Sequence, residues 1–327
     1  MDFKNLLVTG GCGFIGANFI RFLLKRDDFK GRIINVDKLT YAGNKDNLID
    51  IEKDFFERYV FIRADINDKV TISYIFKVFN IDAICHFAAE SHVDNSINSP
   101  NEFIHTNIVG TFTLLEISRI SNIKLFYAVS TDEVFGSIKE GSFTETSRYN
   151  PSNPYSASKA SSDHLVYSYY KTFDLPIITS NCTNNYGPYQ FEEKLIPLVI
   201  YNAINNKKLP VYGDGKNIRD WLYVEDHCNA IWTIMTKGKI GEYYNIGGGC
   251  EINNIDMVKK ICNIIDSFKI FKESRLDLIS FVEDRPGHDF RYSLDYTKLS
   301  NELGWYPLEN IDTGLYKTVE WYLNKWM

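Results

Sequence analysis

Short β-branched runs alternate with helical stretches from about residue 5 to about residue 180. This alternation predicts an α/β protein whose parallel sheet is covered by helices on both faces. A glycine-rich turn from Gly10 to Gly16 joins the first such run to the first helical stretch, and no fixed-period repeat or low-complexity tract interrupts the pattern. Right-handed crossovers between successive strands then give a doubly wound, Rossmann-like layout.

The predicted strands are residues 6–9, 32–37, 60–64, 83–87, 125–130 and 176–180, and the helical segments between them include 16–26, 71–79, 107–118 and 155–173. Beyond residue 180 the alternation becomes irregular. Turn signals cluster at Asn184-Asn185-Tyr186-Gly187-Pro188, Gly213-Asp214-Gly215 and Gly247-Gly248-Gly249. We therefore expect two domains, residues 1–180 holding a dinucleotide and a smaller 181–327 unit over the carboxyl edge of the sheet. Some segments of the second, such as 221–223, are expected to return to the first.

The 327 residues are 44% hydrophobic and 24% charged, enough for a large core without covalent staples. A net charge of −6 disfavours nucleic acid and anionic membranes as partners. No two of the six cysteines form a CxxC pair, so free thiols in a reducing compartment are expected. No secretory leader and no membrane-length apolar run is visible, and a cytoplasmic location is the expectation.

Three motifs carry chemistry. In Thr9-Gly10-Gly11-Cys12-Gly13-Phe14-Ile15-Gly16, glycines at 10, 13 and 16 allow a tight turn, close approach to a pyrophosphate and close helix packing. The helix start offers free N–H groups to phosphate. Asp37 ends the second predicted strand about twenty residues later, where an acidic side chain takes the adenosine ribose hydroxyls. It would repel a 2′-phosphate, so NAD is favoured over NADP. The bland alternative is a glycine-rich turn with an unrelated surface aspartate.

The second motif is Tyr155-Ser156-Ala157-Ser158-Lys159, whose tyrosine and lysine share a helix face. A nearby ammonium is expected to lower the tyrosine pKa and favour a phenolate base. Alone, such a pair is usually a solvated helix face. The third is Ser130-Thr131-Asp132-Glu133-Val134-Phe135-Gly136, directly after a predicted strand, where open α/β sheets bind ligands. Two adjacent carboxylates there can serve as acid and base if their environments split their pKa values. A capping cluster before a loop is the alternative.

Together these motifs resemble the extended short-chain dehydrogenase/reductase superfamily. Thr131-Asp132-Glu133 narrows the resemblance to the nucleotide-sugar 4,6-dehydratases, most closely those acting on dTDP-glucose. Other matching stretches are Ala88-Ala89-Glu90-Ser91-His92-Val93-Asp94, Glu193-Lys194-Leu195-Ile196-Pro197, Arg219-Asp220-Trp221-Leu222-Tyr223 and Asp284-Arg285-Pro286-Gly287-His288-Asp289. The match spans nearly the whole chain.

The resemblance implies conversion of a nucleotide-glucose to its 4-keto-6-deoxy derivative, with NAD recycled on the enzyme and no metal. Tyr155 would take the C4 hydroxyl proton while hydride passes to NAD, Thr131 would hold the same oxygen, and Lys159 would tune Tyr155. Glu133 would remove the C5 proton and Asp132 would protonate the departing C6 hydroxyl. Hydride would then return to C6.

For the cofactor, the resemblance implies Gly10, Gly13, Phe14, Ile15 and Gly16 on the pyrophosphate. Asp37, Lys38, Leu39 and Thr40 would surround the adenosine ribose, and Asp65 and Ile66 the adenine. Phe87, Ala88, Ala89, Thr106 and Asn185, with Tyr155 and Lys159, would lie on the nicotinamide side. For the substrate it implies Ser91, Thr131, Asn184, Lys194, Leu195, Asn245, Arg219, Arg285 and His288, with Pro210 and Tyr212 by the base. Guanidinium forks such as those of Arg219 and Arg285 suit a diphosphate.

Some positions depart from the family pattern. Cys12 stands where alanine is common and is expected to expose a thiol near the cofactor. Phe135 replaces a tyrosine. Asn95 replaces an arginine common in the bacterial dTDP-glucose enzymes, which leaves uracil and thymine both open. A nucleotide-sugar epimerase or decarboxylase on the same fold is the rival enzyme reading, although such relatives typically lack the Asp132-Glu133 pair. An NAD-binding regulator without catalysis is the rival from another class. A homodimer is expected through the helices near 107–118 and after Tyr155, with Leu165, Val166, Tyr169 and Tyr170 offering apolar surface.

Overall fold

A computed structural model describes residues 1–284 and 289–327. The strands, in chain order, are β1 (Asn5–Thr9), β2 (Arg32–Asp37), β3 (Tyr59–Arg63), β4 (Ala83–His86), β5 (Leu125–Thr131), β6 (Ile177–Cys182), β7 (Asn184–Tyr186), β8 (Leu209–Tyr212), β9 (Ile218–Tyr223), β10 (Tyr243–Ile246), β11 (Glu251–Asn253) and β12 (Ile279–Val282). A seven-stranded sheet runs in the order β10-β6-β5-β4-β1-β2-β3, every pair parallel. The order reverses between β1 and β4, and the α/β expectation is met.

Helices cover both faces of this sheet, which is why β4 and β5 are buried along their whole lengths and read as continuous apolar runs. One face packs helices Phe14–Leu24 and Val224–Lys237 around Phe19, Leu23, Ile231 and Met235. The other packs Lys69–Phe79, Thr111–Ser121 and Pro154–Phe173 around Ile72, Phe76, Leu114 and Val166. Val166 and Tyr169 are thus buried in the chain's own core and offer no free surface, contrary to expectation. Exposed apolar side chains on this flank include Ile104, Phe112, Tyr167 and Phe173.

A second core lies between helices Leu195–Ile204, Asn254–Ser267 and Ile311–Trp326, beneath a small sheet of order β11-β9-β7. Residues 221–223 belong to β9 in that small sheet, and Leu222 among them is buried in the core of the large sheet. The segments that go back to the large sheet are β10, which pairs with β6, and helix Val224–Lys237. A two-stranded β8–β12 ladder completes the unit.

Local chemistry sets the elements that carry the motifs. Asn153 caps helix Pro154–Phe173 in a reciprocal capping box with Ser156, and Pro154 occupies its first turn. Tyr155 is thereby fixed at the helix start with Lys159 one turn on. Residues 104–110 form a π-helical turn ahead of helix Thr111–Ser121. Among the described residues, no helix is long and apolar enough to cross a membrane.

Candidate active site

One cavity opens over the carboxyl ends of β1, β2, β4 and β5, at the reversal of strand order. The glycine turn forms its floor. Gly10 has φ +70°, and a Cβ there would lie 2.6 Å from the Ala88 backbone nitrogen. A Cβ on Gly16 would lie 2.4 Å from the Gly10 carbonyl oxygen. Only glycine permits this approach, which leaves the chain between β1 and the helix flat and close to β4. Gly13 is the cap of helix Phe14–Leu24 and supplies no side-chain cap, so the helix start faces the cavity with its own N–H groups.

Asp37 sits at the tip of β2, nearly buried. Its Oδ2 accepts the Cys12 N–H at 2.9 Å and its Oδ1 the Leu39 N–H at 2.8 Å. Burial pushes its pKa up and these two bonds pull it back. Leu39 itself, at φ +58°, lies off the cavity and contributes its backbone N–H. Lys38 pairs with Asp65 at 2.8 Å along the same rim. Cys12 is fully buried beneath the turn, against expectation. The Asn35 Nδ2 donates to its sulfur at 3.4 Å, and burial first, then the Asp37 charge, pushes the thiol up to about 12. It is not an exposed, reactive group.

Phe14, Ile15, Thr40, Ile66, Phe87, Ala88, Ala89, Thr106 and Asn185 also line the cavity. The Asn185 side chain is held from two sides: its Nδ2 donates to the Thr183 carbonyl at 2.9 Å, and its Oδ1 lies 2.8 Å from Nδ1 of the buried His227. Burial holds that imidazole neutral, with its pKa lowered to about 3.

At the far end, Thr131, Asp132, Glu133, Tyr155 and Lys159 converge. Thr131 closes β5 and caps a short 3₁₀ turn, Asp132–Phe135, through the Glu133 N–H at 3.3 Å. The Thr131 hydroxyl donates to Asp132 Oδ1 at 3.2 Å and is also a hydrogen-bond partner of Tyr155. Asp132 is 3% exposed, and its Oδ2 has no hydrogen-bond partner among the described residues. Burial first, and the Glu133 charge second, hold its carboxyl well above the usual range, so it keeps its proton.

Tyr155 departs from expectation. Burial, reinforced by Glu133, raises its pKa, so Lys159 alone does not bring it below the ordinary tyrosine value. The Lys159 Nζ instead donates to the Val129 carbonyl at 2.8 Å.

Ser91, Asn184 and Lys194 reach the same cavity, and the Lys194 Nζ donates to the Ser91 carbonyl at 3.2 Å. Leu195, Pro210, Tyr212, Arg219 and Asn245 lie outside it. Leu195 packs into the second core. Pro210 and Tyr212 lie in the β8–β12 ladder. The buried Arg219 donates to the carbonyls of Ile218, Asp289 and Phe290 and lies over the Tyr292 ring. Asn245, in β10, donates to the Phe143 carbonyl. Arg285 and His288 fall outside the described residues.

The cavity also takes in Glu90, Gln190, Phe191 and Glu193, which no spacing in the sequence singled out. Glu90 and Glu193 do lie within stretches that carry the family resemblance.

Comparison with known proteins agrees with this geometry. A probable dTDP-glucose 4,6-dehydratase of Sinorhizobium fredii is 52% identical over 332 residues, covering 98% of this chain and 93% of the relative. The dTDP-glucose 4,6-dehydratase of Escherichia coli is 52% identical over 342 residues, with coverage of 98% and 93%. The crystal structure of the Streptomyces venezuelae dTDP-glucose 4,6-dehydratase DesIV, determined with NAD bound, superposes with a TM-score of 0.92 at 42% identity, over 98% of this chain and 97% of that one. A Thermotoga maritima UDP-glucose 4-epimerase superposes at 0.89 with 27% identity, over 99% and 100%. With residues 7–318 also matching the model of the GDP-mannose 4,6-dehydratase family, the chain belongs to that family.

Proposed function

We propose that this protein dehydrates a nucleotide-glucose, dTDP-glucose foremost, to the 4-keto-6-deoxy sugar nucleotide. The observation that carries the reading is the Asp132–Glu133 pair beside Tyr155. It puts a proton-bearing acid next to a second carboxyl at the end of a dinucleotide cavity. The close Gly10–Ala88 approach, the uncapped helix start and the braced Asp37 fit NAD, whose diphosphate and ribose would lie along them. When bound, NAD accepts a hydride from the sugar and returns it after water has left.

The protein's own groups do the rest. Tyr155 takes the C4 hydroxyl proton, and the positive nicotinamide and Lys159 offset the burial that disfavours its phenolate. The new C4 carbonyl acidifies C5, whose proton passes to Glu133. Asp132 gives its proton to the C6 hydroxyl, which departs as water. Glu133 exchanges the C5 proton with solvent and then protonates C5 as hydride arrives at C6. The Thr131 hydroxyl bonds both Tyr155 and Asp132, so the proton taken at C4 has a route to the acid that lost one. The net change is loss of one water.

The dinucleotide would lie over residues 1–180, with the nucleotide sugar extending towards 181–327. A pocket methyl is worth only ~1–3 kcal/mol, so UDP-glucose is a slower substrate rather than an excluded one. The exposed Ile104, Phe112, Tyr167 and Phe173 suit a homodimer through the helices on that flank. The free thiols, five of the six buried, suit the cytoplasm.

The test is mass spectrometry of products from dTDP-glucose and UDP-glucose, run separately in heavy water. Loss of one water with one deuterium gained at C5 is the expected result. Unchanged mass with inverted C4 supports the epimerase alternative, which the fold shared with the Thermotoga maritima enzyme keeps open.

A further inference from the structure

Asp163 lies in helix Pro154–Phe173 one turn beyond Lys159, and it is 2% exposed. A buried carboxyl needs partners, and this one has them from separate parts of the chain. The Ser130 hydroxyl, from β5, donates to Oδ2 at 2.6 Å, and the Tyr149 hydroxyl donates to the same oxygen at 3.1 Å. Ser130 stands between Val129, whose carbonyl holds the Lys159 Nζ, and Thr131, which bonds Tyr155. Asp163 therefore ties the helix that carries Tyr155 and Lys159 to the strand end that carries Thr131.

We propose that Asp163 is a positioning residue for hydride transfer, fixing the Ser130 strand end and supplying the buried counter-charge that keeps Lys159 an ammonium. Neither role falls to a group that touches substrate.

The surroundings support the charge role. Burial lowers the Lys159 pKa, and Asp163 is the chief group opposing it. Burial raises the Asp163 pKa, which Lys159, Ser130, Tyr149 and His164 lower. Tyr243, from β10, donates its hydroxyl to the Asp163 carbonyl, not the carboxylate. The other groups facing Lys159 are Cys182, from β6, and His86, from β4. Burial pushes Cys182 up to about 12 and lowers His86 to about 3, so both are neutral across the working range. Asp163 is thus the carboxylate that acts on Lys159 among the described residues.

The inference rests on the proposed roles of Tyr155 and Lys159. Its test is the pH dependence of cofactor reduction in Asp163→Asn, with nucleotide content measured on the same preparations. Removing the counter-charge lowers the Lys159 pKa, so a step that needs the ammonium fails at lower pH. The alkaline limb should move down by about one unit or more, the usual scale for a close buried charge. NAD content should match the parent.

Ser130→Ala with Tyr149→Phe is the second variant. It strips the donors from the carboxylate and makes it hold a proton more tightly, so the same limb should move the same way. If Asp163→Asn does not fold, the limb of this double variant tests the counter-charge in its place. A limb that stays in place, with rate lost uniformly or not at all, overturns the proposal and leaves Asp163 a packing residue. Failure of the parent to reduce cofactor with either nucleotide-glucose would instead remove the Tyr155–Lys159 reading beneath it.

Discussion

Replacing Asp132 by asparagine separates chemistry from stability. The amide keeps an oxygen to accept from Thr131 and matches the carboxyl in size, but it has no proton to give the leaving hydroxyl. Losing a positioned general acid costs about 10²- to 10⁴-fold, or ~3–5 kcal/mol of barrier. C4 oxidation should persist while water loss stalls.

Stability should move the other way. The Asp132 carboxyl is raised in the folded protein by burial and by Glu133. Its contribution is therefore full below the ordinary carboxylate pKa and is lost as pH rises towards the folded value. While the native state holds a proton that the unfolded chain has released, the parent loses about 1.4 kcal/mol per pH unit. Asparagine has no such loss, so the variant should gain on the parent between about pH 5 and about pH 7. Urea unfolding of both proteins across that range reads the gap, and mass spectrometry reads elimination. Normal water loss, or a gap that does not change with pH, would refute a protonated Asp132.

Tyr155→Phe should cut the first oxidation by about 10²- to 10⁴-fold without releasing NAD, and full activity there removes the base role. Glu133→Gln should oxidise C4 and then stop, so reduced cofactor accumulates on the enzyme; ordinary turnover, followed by absorbance, counts against the assignment. Gly10→Ala should release NAD and lower Tm. The left-handed backbone alone costs ~1–2 kcal/mol, and the methyl meets the Ala88 backbone besides. Undiminished nucleotide content would contradict the close approach of the turn to the diphosphate. His86 and His227 are buried neutral, with pKa values lowered to about 3, so the stability they confer is present above about pH 6.5 and lost as pH falls. Acid unfolding should steepen by up to about 1.4 kcal/mol per pH unit for each, and His86→Gln should remove one share.

The large sheet was legible because its strands are short, buried on both faces and separated by periodic helices. Local spacing exposed the glycine turn, Asp37 and the Tyr155–Lys159 pair for the same reason, since each lies within one turn or one βα unit. What stayed hidden depends on distant partners. The stretch 107–118 reads as one helix, yet its first part belongs to a π-turn over residues 104–110. Asn107 there donates to the Glu90 carbonyl and the Ser158 hydroxyl and accepts the Glu90 N–H. Asp163 follows Lys159 by one helical turn, a spacing open to inspection, but its meaning requires Ser130 and Tyr149. Arg219 has the side chain of a phosphate ligand, and its guanidinium faces backbone carbonyls instead. The β7 and β11 strands are too short to show alternation and β9 is buried along nearly its whole length, so their pairing could not be read.

The return of β10 to the large sheet bears on how this chain is made. When residue 182 leaves the ribosome, β6 is an unpaired edge, and the apolar face later covered by helix Val224–Lys237 is bare. Synthesis at roughly 5–20 residues per second leaves that edge open for several seconds before Tyr243–Ile246 arrives. An open parallel edge of this kind invites pairing with another nascent chain. The dinucleotide half therefore cannot finish folding before nearly half of its neighbour has been translated, and fragments ending near residue 180 should depend on chaperones and aggregate without them.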